Sequence, residues 1–344
     1  MLSKITVSPA PHISQPLSTR RVMLDVIIGL ALPVAAAGWY FREFAAITLA
    51  ITVASCMLGE WIVNWMRKKP NSLGDLSAIV TGIILALSLP PATPWWVGVI
   101  GGLFAIMIVK MPFGGLGFNI FNPAMAARVF LTACFGALMT TWTAPATIEK
   151  EAFAADNAVT KTISPSNVQA VTQATTMGWS KMILKGEKTA DQITPLVKSS
   201  VTGNEGGCLG ETSALAILIG GIYMLIRKTI TWRIPFAVLA SAALIAVIAW
   251  LIKPAAFVNP LVHLVGGGMM LCAFFIATDP VTSPLTAKGE LIFGAGVGIL
   301  IMLIRLLGEY PEGVMFAVLI MNALTPLIDR FTKLIPAGGV PNVK

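Results

Sequence analysis

The chain has 344 residues, 56% of them hydrophobic and only 12% charged, with a formal net charge of +8. A soluble protein of this length needs far more charge to cover its surface, so that class is excluded. The positive balance reads as Lys and Arg at cytoplasmic helix ends, not as a nucleic-acid footprint.

Repeated apolar runs predict an all-α polytopic membrane protein. Residues 1–21 form a cytoplasmic N-terminal segment. Its "STRRVML" faintly resembles a twin-arginine signal, and Ala35-Ala36-Ala37 mimics a cleavage site, yet further spans follow at once. Arg20 and Arg21 are therefore read as anchors of a retained first helix. The first membrane half, 22–141, holds spans at 22–41, 45–65, 74–89, 95–110 and 122–141. Between the third and fourth, "PPATPWW" breaks helices with its prolines and anchors at the interface with its tryptophans. A polar segment, 142–210, follows. The second half, 211–328, holds spans at 211–226, 234–252, 261–277, 289–307 and 312–328, and 329–344 is a cytoplasmic tail.

Lys/Arg counting sets the topology. With the N-terminus inside, the cytoplasmic segments hold Lys4, Arg20, Arg21, Arg67, Lys68, Lys69, Lys110, Arg227, Lys228, Arg233, Lys288, Arg330, Lys333 and Lys344. The short outer loops hold Arg42, Lys253 and Arg305. Fourteen against three is a positive-inside bias, and it places 142–210 on the extracytoplasmic side. An internal echo also appears: "SLPPATPWW…GGLFAIMIVK" (88–110) reads like "ATDPVTSP…GAGVGILIMLIR" (277–305), and "FNPAMAARVF" like "MNALTPLIDRF". The copies run in opposite directions, as in an inverted 5+5 repeat, an arrangement that places binding sites near the midplane.

Ionisable residues fall within the spans at Asp25, Glu60, Asp75, Arg128, Glu211, Asp279, Glu290 and Arg305. Near helix ends, snorkelling and capping explain most of them. Asp75 and Glu211 share similar contexts, "LGDLSAI" and "LGETSAL", that suit a helix N-terminus or a cation or cofactor site. Asp75 and Asp279 are the acids near which a sodium ion would bind. "GGLGFNIFNPA" (114–124) is the most loop-like stretch between spans. Its glycines Gly114, Gly115 and Gly117 allow close backbone approach, Asn119 and Asn122 supply donors and acceptors, and Pro123 can start a helix. It reads either as a cofactor- or ion-lining re-entrant loop or as a tight turn.

Cys56, Cys134, Cys208 and Cys272 form no CxxC pair, and the histidines are only His12 and His263. A cysteine-ligated zinc or iron–sulfur site within this chain is not expected. His263, at a helix entrance, reads as a hydrogen-bonded interfacial residue. No P-loop, GxGxxG, HExxH or nucleophile elbow is present, so a self-contained soluble-type active site is not expected either.

"STRRVMLDVI", "GGLGFNIFNPAMAARVFL", "GGCLGETSALAILIGGIY", "FFIATDPVTSP" and "YPEGVMFAVLIMNALTPLID" span nearly the whole chain. Together they resemble the RnfD proteins of Rnf complexes, the membrane-bound ferredoxin:NAD oxidoreductases, and the related NqrB proteins of sodium-translocating NADH:quinone reductases. In that family a [Ser/Thr]-x-Ala-Thr tetrad carries covalent FMN, its phosphate esterified to the last threonine by a flavin transferase. The matching tetrad is Thr172-Gln173-Ala174-Thr175, so the resemblance assigns the attachment to Thr175. Familiar versions continue with Pro-Leu, whereas Thr176-Met177 follow here, and Thr194 in "QITPL" is the backup. An attachment threonine should lie in an exposed, flexible segment. Met177, Trp179 and Trp142 are available to stack near the ring. Arg305 and Arg128 are charge partners for its phosphate. Glu211 would cap its helix or bond the ring.

The resemblance further implies a non-covalent riboflavin, the A, B, C, E and G components of an Rnf complex as partners, and electron flow coupled to Na⁺ or H⁺ movement. A rival reading is a non-redox small-solute channel or transporter of urea-channel-like architecture. A structural scaffold for flavin-bearing neighbours is the third.

Overall fold

The computed structural model describes residues 18–142, 175–186, 200–201, 206–254, 256–308, 310 and 312–333. Its described elements are helical. Four helices are long and apolar enough to cross a membrane, and four shorter apolar ones accompany them. The chain is a polytopic membrane protein.

α1 (Thr19–Met66) begins at Ser18, whose hydroxyl accepts from the Arg21 amide at 3.3 Å. At 48 residues it would be about 72 Å long if straight, more than twice a hydrocarbon core of about 30 Å. It is not straight. Arg42 leaves helical geometry at φ 47° and ψ −123°, and both outer ends of the hairpin return to one side. Val22 and Met23 line a cavity with Lys110, and Lys110 pairs with Glu60. The expected spans 22–41 and 45–65 are the two arms.

α2 (Ser77–Ser88) follows a 3₁₀ turn, Leu73–Asp75, and Leu76 in left-handed conformation. Twelve residues rise only about 18 Å, too short to span alone. Such a broken helix belongs inside protein, where neighbours satisfy its ends. All but three of its residues, Ile79, Val80 and Ser88, are buried. α3 (Trp95–Leu103) runs on into a π-helix, Phe104–Lys110, and the Met111 amide still bonds the Ile106 carbonyl five residues back. After the glycine loop come α4 (Pro123–Cys134) and a single turn, α5 (Gly136–Met139). α6 (Thr176–Leu184) packs its Met177 and Ile183 against Val258 and Val262.

The second half opens with another 3₁₀ turn, Leu209–Glu211, then α7 (Ala214–Ile226) and α8 (Arg233–Ile252). The expected span 261–277 is broken into α9 (Pro260–Val265), α10 (Met269–Leu271) and a second π-helix, Cys272–Ile276. α11 (Ala287–Leu307) and α12 (Val314–Phe331) complete the bundle.

Glycines let the helices approach closely. A Cβ on Gly98 or Gly102 of α3 would press on Thr52 or Ser55 of α1, and one on Gly294 or Gly298 of α11 on Ala237 or Ser241 of α8. These are small-xxx-small contacts. Outward faces carry exposed apolar side chains such as Trp39, Ile226, Leu307 and Phe331, which suit lipid.

Asp25 ties the two halves together at the Lys/Arg-rich end. It accepts from Tyr223 at 3.1 Å and Thr229 at 3.2 Å, and pairs with Arg227 at 3.4 Å. Glu290 pairs with Arg233 at 3.0 Å.

Candidate functional site

Two cavities lie at opposite ends of the bundle and share no lining residue. The first, of about 630 Å³, is walled by Leu87, Met125, Leu271, Ile276 and Met315, with Trp142 and Tyr310 at its mouth. Its polar groups include Arg128, Glu211 and Glu312. The second, of about 690 Å³, opens toward the Lys/Arg-rich end between Val22, Thr229 and Val281. Its polar lining includes Ser77, Lys110, Asn119, Asn122 and Asp279. The partition is thin: Ala124 and Phe275 face the second cavity, while Met125 and Ile276 face the first.

Arg128 is buried on α4 with soft company. Its guanidinium lies against Met139 Sδ and donates to the Met139 carbonyl at 3.3 Å and to Cys208 Sγ at 3.8 Å. No carboxylate lies within salt-bridge distance of it among the described residues. A buried cation resting on sulfur and one carbonyl suits an anionic ligand in the cavity it lines.

Arg305 is different. It donates to the carbonyls of His263 at 2.6 Å and Gly266 at 3.2 Å, and pairs with Glu312 at 3.0 Å. It does not line the cavity, and Glu312 takes that place. Arg305 therefore braces the break between α9 and α10. His263 corrects an expectation: it is buried, not interfacial, and its Nδ1 has no hydrogen-bond partner. The apolar packing of Val258 and Val262 beside it explains why.

Thr175 also departs from expectation. It is buried, and its hydroxyl accepts from the Gly178 amide at 2.9 Å, which makes it the N-cap of α6. Threonine there satisfies a helix-terminal amide, so folding draws the residue in where an exposed segment was expected. Thr172 and Thr194 lie outside the described residues. Met177 is not free to stack on a ligand: it is packed with Ile183, Val258 and Val262, and Trp179 lies against that cluster. Trp142 does face the first cavity. The α6 segment packs against the break between α9 and α10, since a Cβ on Gly266 would meet Met177 and Thr176.

Glu211 does not cap α7, because Ser213 does so by accepting from the Ala216 amide at 3.2 Å. It sits in the preceding turn and lines the first cavity. Asp75 is engaged by the Ser77 amide at 2.8 Å and hydroxyl at 2.6 Å, which caps the start of α2. Asp279 accepts from Val281 and Thr282 and faces the second cavity. Among the described residues no three His, Cys, Asp or Glu side chains gather as a metal site.

The glycine loop is a lining loop. Gly114, Gly115 and Gly117 have φ of 131°, 99° and 93°, so turn conformation requires glycine there. Close approach is not the reason at Gly117, where a Cβ would meet nothing within 4 Å. Asn122 caps α4 by accepting from Ala124 and Met125, and its Nδ2 donates to the Ile276 carbonyl at 3.4 Å. Asn119 donates to the Phe121 carbonyl, but its buried Oδ1 has no partner. Sequence reasoning missed the Glu60–Lys110 pair, Tyr310 and Glu312. The one signal was a charged residue at the edge of each predicted span.

The model of the NQR2, RnfD, RnfE family matches residues 6–338. The chain is 43% identical over 331 residues to the D component of the Na(+)-translocating ferredoxin:NAD(+) oxidoreductase complex of Acetobacterium woodii, covering 96% of this chain and 94% of that one. It is 39% identical over 331 residues to the D component of the ion-translocating oxidoreductase complex of Halorhodospira halophila, covering 94% and 92%. The same description and identity hold for a Cronobacter sakazakii protein over 348 residues, covering 97% and 98%. Over almost its entire length, then, this chain belongs to the NQR2, RnfD, RnfE family.

Proposed function

We propose that the chain is the flavin-carrying membrane subunit of an Rnf-type ferredoxin:NAD⁺ oxidoreductase, relaying electrons while the complex moves Na⁺ or H⁺. The observation that carries this reading is the pair of cavities at opposite ends of the bundle, each lined, among the described residues, by a buried polar group lacking a strong partner.

A covalent FMN on Thr175 and a non-covalent riboflavin would supply one- and two-electron transfer. A phosphate esterified to Thr175 would lie at the amino end of α6, where backbone amides favour an anion. In the first cavity Arg128 would counter negative charge on a ring, and Trp142 and Tyr310 would cover it. In the second, Asn119 Oδ1 would accept from a ring N–H, and Asn122, fixed by its bonds to α4, would hold the loop against it.

The finer architecture belongs to the same proposal. α1 counts as two spans, ten cross in total, and the halves are an inverted repeat. The matching contacts of Gly98 and Gly102 on α1 and of Gly294 and Gly298 on α8 support this. From Gly102 to Lys110 is one residue longer than from Gly298 to Arg305. The first π-helix takes up one extra residue, which would bring the two buried cations to equivalent helix ends. Both termini and the Lys/Arg-rich end are assigned to the cytoplasm, and the A, B, C, E and G components would supply the remaining redox centres. A sodium ion handled by this chain would bind near Asp279, which lines the second cavity where Asp75 does not.

The test is a denaturing gel of the purified chain under ultraviolet light. A fluorescent band that vanishes in Thr175→Ala is expected. Fluorescence lost instead in Thr194→Ala moves the attachment. A dark band from cells expressing the flavin transferase overturns the reading in favour of a channel or scaffold.

A further inference from the structure

Lys110 and Glu60 form a buried ion pair at 2.7 Å, with side chains 2% and 1% exposed. Replacing such a pair by packed apolar groups is often neutral or stabilising, so packing alone gives no reason for it. The pair is part of a continuous chain. Asn64 Nδ2 donates to Ser72 Oγ at 2.7 Å, and Ser72 Oγ donates to Glu60 Oε1 at 2.5 Å. Beyond the pair, Lys110 Nζ donates to Ser77 Oγ at 2.5 Å, and Ser77 donates to Asp75 at 2.6 Å. Ser72 and Asp75 sit in a half-buried turn beside exposed Asn71 at the Lys/Arg-rich end.

An ammonium has three donors, and Glu60 and Ser77 take two. Lys110 also lines the second cavity. Asp279 faces it across that cavity, Cys56 of α1 lies within its electrostatic reach, and Arg67 donates to the carbonyl of the next residue, Met111.

We propose that this chain loads protons from the Lys/Arg-rich surface onto a reducible ring in the second cavity, with Lys110 Nζ as the last donor. The inference rests on the reading of that cavity as a flavin site. An electron delivered by the oxidoreductase adds one negative charge to the ring. One N–H bond of Lys110 breaks, its proton bonds a ring nitrogen, and the electron pair stays on Nζ as a neutral amine. Ser72 and Glu60 pass one proton inward to restore the ammonium. The sum is one electron and one proton gained by the ring, the proton coming from solvent.

Arginine distinguishes proton delivery from charge alone, because it keeps the cation and its hydrogen bonds but does not release a proton in proteins. In the purified whole complex, reduction of the acid-extractable flavin is followed by stopped-flow absorbance in H₂O and in D₂O. The wild type should be slowed by D₂O. Lys110→Arg should retain the flavin and slow its reduction by about 100-fold, the loss of a positioned proton donor, and Ser72→Ala, at the entrance, should slow it while keeping the solvent isotope effect. An unchanged rate in Lys110→Arg, with flavin bound, overturns the inference alone. If acid extraction of the wild-type complex releases no flavin, the cavity reading fails and the inference with it. Should Lys110→Arg assemble poorly, Glu60→Gln gives the same decision: a wild-type rate refutes the chain, a slowed one supports it.

Discussion

Single side chains set the chemistry through what they lack. Among the described residues, Arg128 has only sulfur and one carbonyl to share its charge. Its guanidinium should hold the proposed flavin toward its reduced form. Arg128→Met, close in volume, is expected to lower the potential of that proposed covalent flavin by at least about 59 mV, a tenfold change in the one-electron equilibrium, and Arg128→Lys to lower it less. Redox titration of the gel-fluorescent species checks this, and an unmoved potential would remove Arg128 from the site. Asn122 is the second test. It caps α4 and reaches the Ile276 carbonyl, so Asn122→Ala should cost about 1 kcal/mol for the cap. A lower midpoint in thermal unfolding of the detergent-solubilised chain would show it. At this scale the sequence was only partly readable. Arg128, Asn119 and Asn122 are visible because polar residues are rare in oily runs. Lys110 looked like a surface anchor, and its partner lies fifty residues away in the chain, a distance no local pattern reports.

Elements were more legible than their interruptions. Apolar runs placed α8, α11 and α12 to within three residues at each end, because a bilayer demands long uniform helices. What the runs hid were the break at Arg42, the two π-helices and the short helices around the cavities. Those depend on tertiary packing. Gly82 of α2 illustrates this: a Cβ there would lie 2.7 Å from the Val53 Cα, backbone that cannot move aside. Gly82→Ala should destabilise the chain by roughly 1–3 kcal/mol. Gly136→Ala, with nothing within 4 Å, is the control and should leave it unchanged. Size-exclusion recovery after heating separates the two, and equal recovery would mean the α1–α2 contact is looser than described.

For the whole molecule, the two cavities stand back to back with a partition one residue thick in each of two elements, between Ala124 and Met125 and between Phe275 and Ile276. Such a wall can keep solvents on the two faces apart while electrons cross. The proposed topology predicts that Lys68→Cys and Lys185→Cys label with an impermeant maleimide from opposite faces of intact cells and inverted vesicles. Cys134, which is exposed, must first be replaced, whereas Cys56, Cys208 and Cys272 are buried. Labelling of both from one face would refute the assignment. Positive-inside counting predicts this orientation, but the cavities were not readable, since each gathers residues from both halves of the chain.

The proposed attachment at Thr175 would give maturation a deadline. Once its hydroxyl closes the start of α6 and the side chain is buried, a modifying enzyme would have no approach to that oxygen. A flavin carried there would have to be installed on a newly made chain, or the first turn of α6 would have to unwind to admit the enzyme. Transferase supplied during synthesis should label nearly every copy, whereas the same enzyme added to folded apo-protein should work slowly and speed up under mild denaturant.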